Sequence, residues 1–575
     1  MLERLRQKLA SGNALMLAFI GFICGLMVGA VILVFRLLIE GAQGLFLPDA
    51  SGESYESLSA YWRFLLPVTG GLLIGAVFHF FSAEQRRVGI VHVLERVGYH
   101  QAYLPLRNAV LQFFGAAASI ISGHSVGREG PGVHLGAASG SLLGQWFSLP
   151  NNSLRTLVAC GAAASIAASF NTPLAGVVFA MEVIMLEYSI AGFVPVILAS
   201  VSATWVTRSV YGAAPAFTVP AVEIGSLLEL PWIILTGVLI GLLAALFTRS
   251  LTEISSRTLQ IPFWIRCTLG GVAVGVIALF MPQVMGIGYD TVNQAFLGEL
   301  GLGLLAALVL AKLLASVIGI GLGLPGGLIA PTLFIGAVIG SLLGLLGIDM
   351  MPGQNASPGM YAMIGMGAMM AAVLNAPLAA LLAIVELTAN PNIILPGMLC
   401  VIAANLTASY GCKQPSVFVA MLRARGLDYL HDPFSQALRG LGVTAIMDKR
   451  FVHHDRMLPR SAVEHLLAND PNWVVIAGEE KEGPVALLPS LDLRRYLEAE
   501  NEVEETDDID LLAIPAQRLQ PVGVPQRANL QEALGALDEH SAEAVYVWRR
   551  RGRSAEILEG ILTREAILSA RHRST

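Results

Sequence analysis

The chain has 575 residues, 55% of them hydrophobic and only 14% charged, against about a quarter charged in soluble domains, which excludes an ordinary soluble globule. Half of its 78 charged residues fall in positions 1–440 and the other half in the last 135, so two solvents shaped the two parts: a polytopic membrane domain over 1–440 and a soluble region after it. The net charge is -6, and no basic cluster exceeds Arg549, Arg550, Arg551 and Arg553, which excludes a nucleic-acid binder.

In chain order, the apolar stretch 15–35 is long enough to cross about 30 Å of hydrocarbon. No small-residue cleavage site follows it, so it is expected to remain as a helix. Arg4, Arg6 and Lys8 before it place the N-terminus in the cytosol by the positive-inside tendency. Apolar segments recur up to 409, and those at 104–122, 131–147, 154–169, 173–186, 328–346 and 377–388 are short or interrupted by Gly, Pro or Ser. Irregular backbone at membrane depth is tolerated only when it is buried in protein or lines a cavity, so the breaks point to a pathway. Cys24, Cys160, Cys267, Cys400 and Cys412 show no CxxC or Cys/His spacing; neither a disulfide framework nor a zinc site is expected.

An internal repeat runs through this region. PGVHLGAASGSLLG at 131–144 aligns without gaps on PTLFIGAVIGSLLG at 331–344, with eight identities in fourteen. Downstream, SFNTPLAGVVFAMEV at 169–183 falls on VLNAPLAALLAIVEL at 373–387, pairing Asn171 with Asn375, Pro173 with Pro377 and Glu182 with Glu386. Duplicated halves with matching broken segments are a transporter and channel signature, with a site between the halves near the midplane.

After 440 the pattern becomes α/β. A capping box at 461–464 opens a short helix, followed by strands at 473–477 and 485–488 and a helix from about 491. The order then repeats: helix 530–537, strand 544–548, a turn at 549–553, strand 557–562, and Thr563 capping a last helix. The acidic stretch 498–510 reads as a solvated linker. The expected domains are 1–440, 441–500, an acidic linker 501–513, and 514–575.

The stretch SGHSVGREGP at 122–131 carries the most chemistry. Gly123, Gly127 and Gly130 permit close backbone approach, and Pro131 sits near a helix start. The free N–H groups and positive dipole end of such a helix attract an anion without committing a full basic charge. GGLIAP at 326–331 supplies a second such end. The first 440 residues hold only three lysines, Lys8, Lys312 and Lys413, so an anion route there relies on backbone dipoles and a few arginines. Glu129 stands out, because an ionised carboxylate at bilayer depth costs about 2.5–3.5 kcal/mol and marks function by default. At an anion-binding helix end it can act as a tethered anion that leaves when protonated; the alternative is a salt bridge with Arg128.

GREGP, GGLIAP and the NTPLAGVVFAMEV/NAPLAALLAIVEL pair resemble the CLC chloride channels and chloride/proton antiporters, and the C-terminal part resembles the paired CBS domains many of them carry. The resemblance implies an all-α polytopic membrane domain with inverted internal repeats and a cytosolic α/β CBS pair. It also implies a homodimer in the cell membrane, the inner membrane if bacterial, with both termini cytosolic. One voltage- or pH-gated pathway per subunit would pass chloride or similar monovalent anions. Glu129 is then the external gate; Arg128, Gly130, Leu328 and Ile329 surround the anion, and bound chloride is the only ligand expected, with no cofactor.

Three departures from the family pattern matter. Its first motif is matched best by RVGIV at 87–91, which puts Val88, before Gly89, where a serine is usual. The pore tyrosine is matched by Phe418. Ser122, Ser125 or Ser416 could substitute for the missing hydroxyls. The internal proton-transfer glutamate, just after the position of Glu182, is matched by Val183, which favours a channel; an antiporter would need another acid, for which Glu187 is placed, though its simpler reading is an interfacial surface residue. His92, His124 and His134 flank the motifs and read most simply as polar contacts. In the CBS-like pair, Thr563 is kept but Ala566 holds the Asp position, while Asp492 is kept but Pro489 holds the Thr position, so adenine nucleotide binding is doubtful. A CBS-regulated magnesium channel lacks the acidic pore residues it needs here, and an intramembrane enzyme lacks a Ser/His/Asp or zinc-binding set.

Overall fold

The computed structural model describes residues 14–47, 54–188, 190–217, 219, 227–350, 357–427, 438, 441–477, 484–499, 508–551 and 555–569; Arg4, Arg6, Lys8 and most of the acidic linker lie outside them. Long apolar runs form the helices α1 (Ala14–Gln43), α2 (Ala60–His79), α3 (Gly89–Tyr99), α4 (Leu106–Ile121), α5 (Glu129–Trp146), α6 (Asn151–Phe170) and α7 (Pro173–Phe179), which runs into a π-helical turn, Ala180–Met185. There follow α8 (Ile190–Tyr211), α9 (Leu230–Arg257), α10 (Phe263–Phe280), α11 (Tyr289–Leu297), α12 (Leu302–Gly321), α13 (Ile329–Met350), α14 (Pro358–Leu374), α15 (Pro377–Thr388), α16 (Ile394–Leu406) and α17 (Val417–Ala424). Among the described residues, nine helices are long and apolar enough to cross a membrane, and α4, α7, α14 and α15 are shorter apolar helices. The first helix is longer than its 15–35 core, and the breaks at 122–128, 171–172, 322–328 and 375–376 fall where the sequence places them.

The identities shared by the two repeats have physical reasons. Gly136 of α5 faces Gly161 of α6 so closely that a Cβ on Gly136 would run into the Gly161 carbonyl; 200 residues later Gly336 of α13 meets Gly365 of α14 in the same way. Asn171 and Asn375 adopt left-handed backbone (φ 61° and 53°), a conformation Asn tolerates better than most residues, and so end α6 and α14. Pro173 and Pro377 take the first helical position, where no N–H is missed. The paired glutamates then cap each other's helices. Glu182 accepts hydrogen bonds from the N–H groups of Leu378 (3.3 Å) and Ala379 (2.8 Å) at the start of α15. Glu386 accepts from Leu174 (3.0 Å) and Ala175 (2.8 Å) at the start of α7.

The chain divides into two units, the second comprising Leu430–Thr575 with the short segment Leu149–Asn152. In the second unit, β1 (Phe451–His454) pairs in parallel with β3 (Trp473–Ile476), which pairs antiparallel with β4 (Ala486–Pro489). The short helices α18 (Val463–Leu467) and α19 (Ser490–Ala499) complete this half. The second half repeats the plan: β6 (Pro521–Pro525), α20 (Leu530–Glu539), β7 (Ala544–Arg551), β8 (Ala555–Thr563) and α21 (Arg564–Ser569), with β6 parallel and β8 antiparallel to β7. Period-two patterning divides the side chains: Val474 and Ile476 enter one core, while Val475 joins Leu487, Ala544 and Ile561 in a cluster shared by the two halves.

Three local expectations are corrected here. Ser461 caps nothing; the chain enters α18 through a 3-10 turn, Arg460–Ala462. The capping box that does form is Asn529 with Glu532 at the head of α20. Arg549, Arg550 and Arg551 are strand, paired with Ile557, Glu556 and Ala555, because the cross-strand bonds carry the ladder past the apolar residues. At the end of the acidic stretch, β5 (Ile509–Asp510) pairs antiparallel with β2 (Met457–Leu458). There Arg456 grips the Asp510 carboxylate with bonds of 2.7–3.1 Å and holds its pKa below the ordinary value.

Because the caps are reciprocal, Glu182→Ala and Glu386→Ala should destabilise the membrane unit comparably, each by about 1–3 kcal/mol for two orphaned first-turn N–H groups. Thermal unfolding in detergent checks this; a loss for one variant and none for the other would show that the caps are not equivalent.

Candidate functional site

Two loops meet where the repeats place their glycines. Gly127 N–H donates to the Gly327 carbonyl and Gly327 N–H to the Gly127 carbonyl, both at 2.7 Å, an isolated antiparallel bridge. Only glycine fits so close a pairing: a Cβ on Gly327 would lie 2.6 Å from the Gly130 nitrogen. The bridge sets the first turns of α5 and α13 side by side, so two helix N-termini with their unpaired N–H groups and positive dipole ends share one small region.

Glu129 lies in that region. It is the first residue of α5 and is fully buried. Tyr289 at the head of α11 donates its hydroxyl to Oε1 at 3.3 Å, while Oε2 lies against Gly127, beside Ala330 in the first turn of α13, buried without a hydrogen-bond partner. The carboxylate thus occupies the place an anion would take between the two helix ends. Arg128 turns elsewhere: Nη1 is 3.7 Å from Glu40 Oε1, Nη2 donates to the Ser169 carbonyl at 3.4 Å, and the guanidinium stands 5.8 Å from the Tyr289 ring centroid. The donor on Glu129 is the tyrosine, and the salt bridge of the alternative reading goes to Glu40.

Three of the remaining residues adjoin this centre. Leu328 and Ile329 are buried at the start of α13 beside the bridge, as is Gly130 at the start of α5. Val88 is the extended residue before α3 and packs on an apolar cluster with Ile74, Phe78, Leu111 and Leu324. Gly89 (φ +81°) has open space where a Cβ would sit, which an L side chain could occupy only with strain. Phe418, in the first turn of α17, is 3% exposed. Two of the three serines named as substitutes are engaged: Ser122 Oγ bonds the Ala118 carbonyl at 2.7 Å and His124 Nδ1 at 2.8 Å, and Ser125 Oγ bonds Ser316 Oγ at 2.9 Å, while Ser416 precedes α17 without a side-chain capping bond.

Val183 is buried in the π-helical turn and Glu182 is held by its two N–H donors. Leu186 turns the chain left-handed (φ 56°), and half-buried Glu187 follows it. In the second unit, Asp492 lies in the first turn of α19, 3.8 Å from Arg495, and Thr563 Oγ1 accepts from Ala566 N–H at 3.2 Å as the cap of α21.

Two features escaped the sequence reading. Lys312 of α12 is fully buried, its ammonium donating to the carbonyls of Val284, Gly286 and Ile287 at 3.0–3.3 Å and standing 4.6 Å from the Phe334 ring centroid. His92 and His134, on different helices, bond each other directly. The pattern signals neither, since each needs partners remote in sequence. Among the described residues no group of three His, Cys, Asp or Glu could hold a metal.

Comparison with known proteins places this architecture. A family model described as voltage gated chloride channel matches residues 70–409. The chain is 34% identical over 385 residues to a putative chloride channel protein ClcB-like of Ralstonia nicotianae, covering 65% of this chain and 88% of that one. It is 32% identical over 314 residues to an H(+)/Cl(-) exchange transporter ClcA of Vibrio cholerae, covering 53% and 67%. Its fold matches that of a slow cyanobacterial Cl-/H+ antiporter with a TM-score of 0.63 at 24% identity, over 71% of this chain and 97% of that one. With the family match extending over more than half its length, the chain belongs to the voltage-gated chloride channel family, the CLC family of multi-pass membrane proteins, whose members move ions and are not enzymes.

Proposed function

We propose that the protein is an anion/proton antiporter of the cell membrane, exchanging chloride or a similar monovalent anion for protons. The observation that carries this reading is the buried Glu129 carboxylate lying where the first turns of α5 and α13 meet. An ionised carboxylate there is itself the anion held by the helix ends and competes with chloride for the N–H groups near Gly130, Leu328 and Ile329. Protonation removes that charge and frees the site, so anion entry and proton uptake are linked at one atom group. Arg128, tied to Glu40 and Ser169, supplies positive potential at the mouth without clamping the anion. Val88 and Phe418 flank the path without hydroxyls, so selectivity there rests on backbone donors and the open space by Gly89.

The channel expectation drawn from Val183 is weighed against the relatives, among which exchange transporters recur, the Vibrio cholerae protein included. Val183 cannot carry a proton and Glu182 is committed as a helix cap, which leaves Glu187, half-buried at the end of the π-helical turn, as the internal collecting acid. The antiparallel Gly127–Gly327 bridge and the reciprocal caps support inverted repeats. The twice-repeated strand–helix–strand–strand–helix order supports a cytosolic CBS pair following a membrane domain that extends to about 440. The same reading makes the protein a homodimer with cytosolic termini and one path per subunit. Nucleotide binding by Asp492 and Thr563 is not part of it, since Thr563 is occupied as a helix cap.

In proteoliposomes with an imposed chloride gradient, the protein should drive protons uphill. Glu129→Gln should abolish proton movement and flatten the rise in anion flux as pH falls, and Glu187→Gln should lower proton flux several-fold. Chloride flux with no proton movement would return the protein to the channel reading.

Selectivity offers a separate check. Nitrate and bromide should pass about as well as chloride, and fluoride less well. A hydroxyl donor to an anion contributes about 1.5–3 kcal/mol, so Val88→Ser should shift relative anion permeability by about tenfold; unchanged permeability ratios would remove Val88 from the path.

A further inference from the structure

Of the three histidines around the first motif, His124 is held in place by Ser122 Oγ and the Ser119 carbonyl. The other two form a pair with no such purpose. His92 of α3 and His134 of α5 are joined by a 2.9 Å hydrogen bond between Nδ1 and Nε2, their ring centroids 5.2 Å apart. His134 is 0% exposed and its Nδ1 has no hydrogen-bond partner, while His92 keeps 3% exposure, so exchange of the pair with water goes through His92. A buried nitrogen left unsatisfied costs about 1–3 kcal/mol, and ionisable side chains within a membrane mark ion or proton routes. Two ligands are too few for a metal site, and no third joins them among the described residues.

Placement gives the pair its use. α5 begins at Glu129, and α3 packs both on α5 and on the π-helical turn that holds Val183. The pair therefore spans from the helix that begins at Glu129 to the helix that borders the turn holding Val183.

We propose that His92 and His134 form a proton relay that takes up protons at His92 and hands them on to Glu129. The proposal rests on the antiport reading. A proton arriving at His92 Nε2 lets His92 pass its Nδ1 proton to His134 Nε2, and His134 gives up its Nδ1 proton, which ends as an O–H on the ionised Glu129 carboxylate. One proton enters and one leaves, no bond other than N–H is broken, and both rings finish in the opposite tautomer, primed for return or reset by exchange of tautomers. The charged groups on the elements packed around the pair include Glu95 and Arg96 of α3, Arg87 just before it, Arg423 of α17 and Arg425 at its end, Glu182 of the π-helical turn, Glu129 of α5, Arg36 and Glu40 of α1, and Arg107 of α4. Glu95, 2% exposed, is bonded by Arg87 and lies 3.9 Å from Arg425. A relay passes charge onward without storing it, which suits a pair ringed by guanidinium groups.

The test records chloride and proton fluxes together in proteoliposomes holding the full chain, its His134→Gln and His92→Gln variants, and the double variant. Glutamine keeps a hydrogen bond between the helices but cannot pass a proton through a ring. The expected result is proton transport by the unaltered protein and a fall of at least tenfold in protons moved per chloride in each variant. An unchanged ratio with coupling intact overturns the relay and leaves the antiport reading standing. Chloride and proton fluxes falling together at constant ratio overturn it in favour of a structural pair. No proton movement by the unaltered protein overturns both readings.

Discussion

Two backbone hydrogen bonds of 2.7 Å between Gly127 and Gly327 hold together everything that follows. Each helix N-terminus beside them carries unpaired N–H groups that water satisfies at a surface and that a protein interior must satisfy otherwise. Setting two such ends together concentrates the deficit, and a negative charge is what fills it. Glu129 is the side chain that stands in that place, and under the proposed exchange its carboxylate yields it to an external anion.

The same logic governs three other charges of the membrane unit. Glu182 and Glu386 are spent on N–H groups of the opposite repeat, and Lys312 on three carbonyls of the loop before α11. Each is a full charge matched to the partial charges of a backbone end or turn, the inexpensive way to keep an ion in a low-dielectric setting. Glu129 differs: one carboxylate oxygen accepts from Tyr289 and the other is buried without a hydrogen-bond partner.

Much of this was legible in the residues. The glycines of GREGP and GGLIAP, and the Asn, Pro and Glu of the second repeat, announce helix ends because each answers a local demand: close approach, left-handed backbone, a first-turn position, a cap. What stayed hidden depends on long-range partners. That His92 reaches His134 and that Arg128 turns to Glu40 follow from helix packing across 42 and 88 positions, and no local pattern encodes such pairings. In the soluble unit, Ser461 matched a capping box and lost to a 3-10 turn, while Asn529 formed one with Glu532; the strand at Arg549 ran on because its cross-strand ladder outweighed its polarity.

The Gly127–Gly327 bridge also imposes an order on biosynthesis. The two glycines are 200 residues apart, and at about 5–20 residues per second of synthesis the first loop waits about 10–40 s for its partner to leave the ribosome. Through that interval the early half sits in the membrane with a helix end, and the head of α7, unmatched. The pathway is therefore among the last parts of the unit to mature, and a chain arrested between the halves presents polar backbone to lipid, a defect that quality-control proteases and insertion factors can recognise.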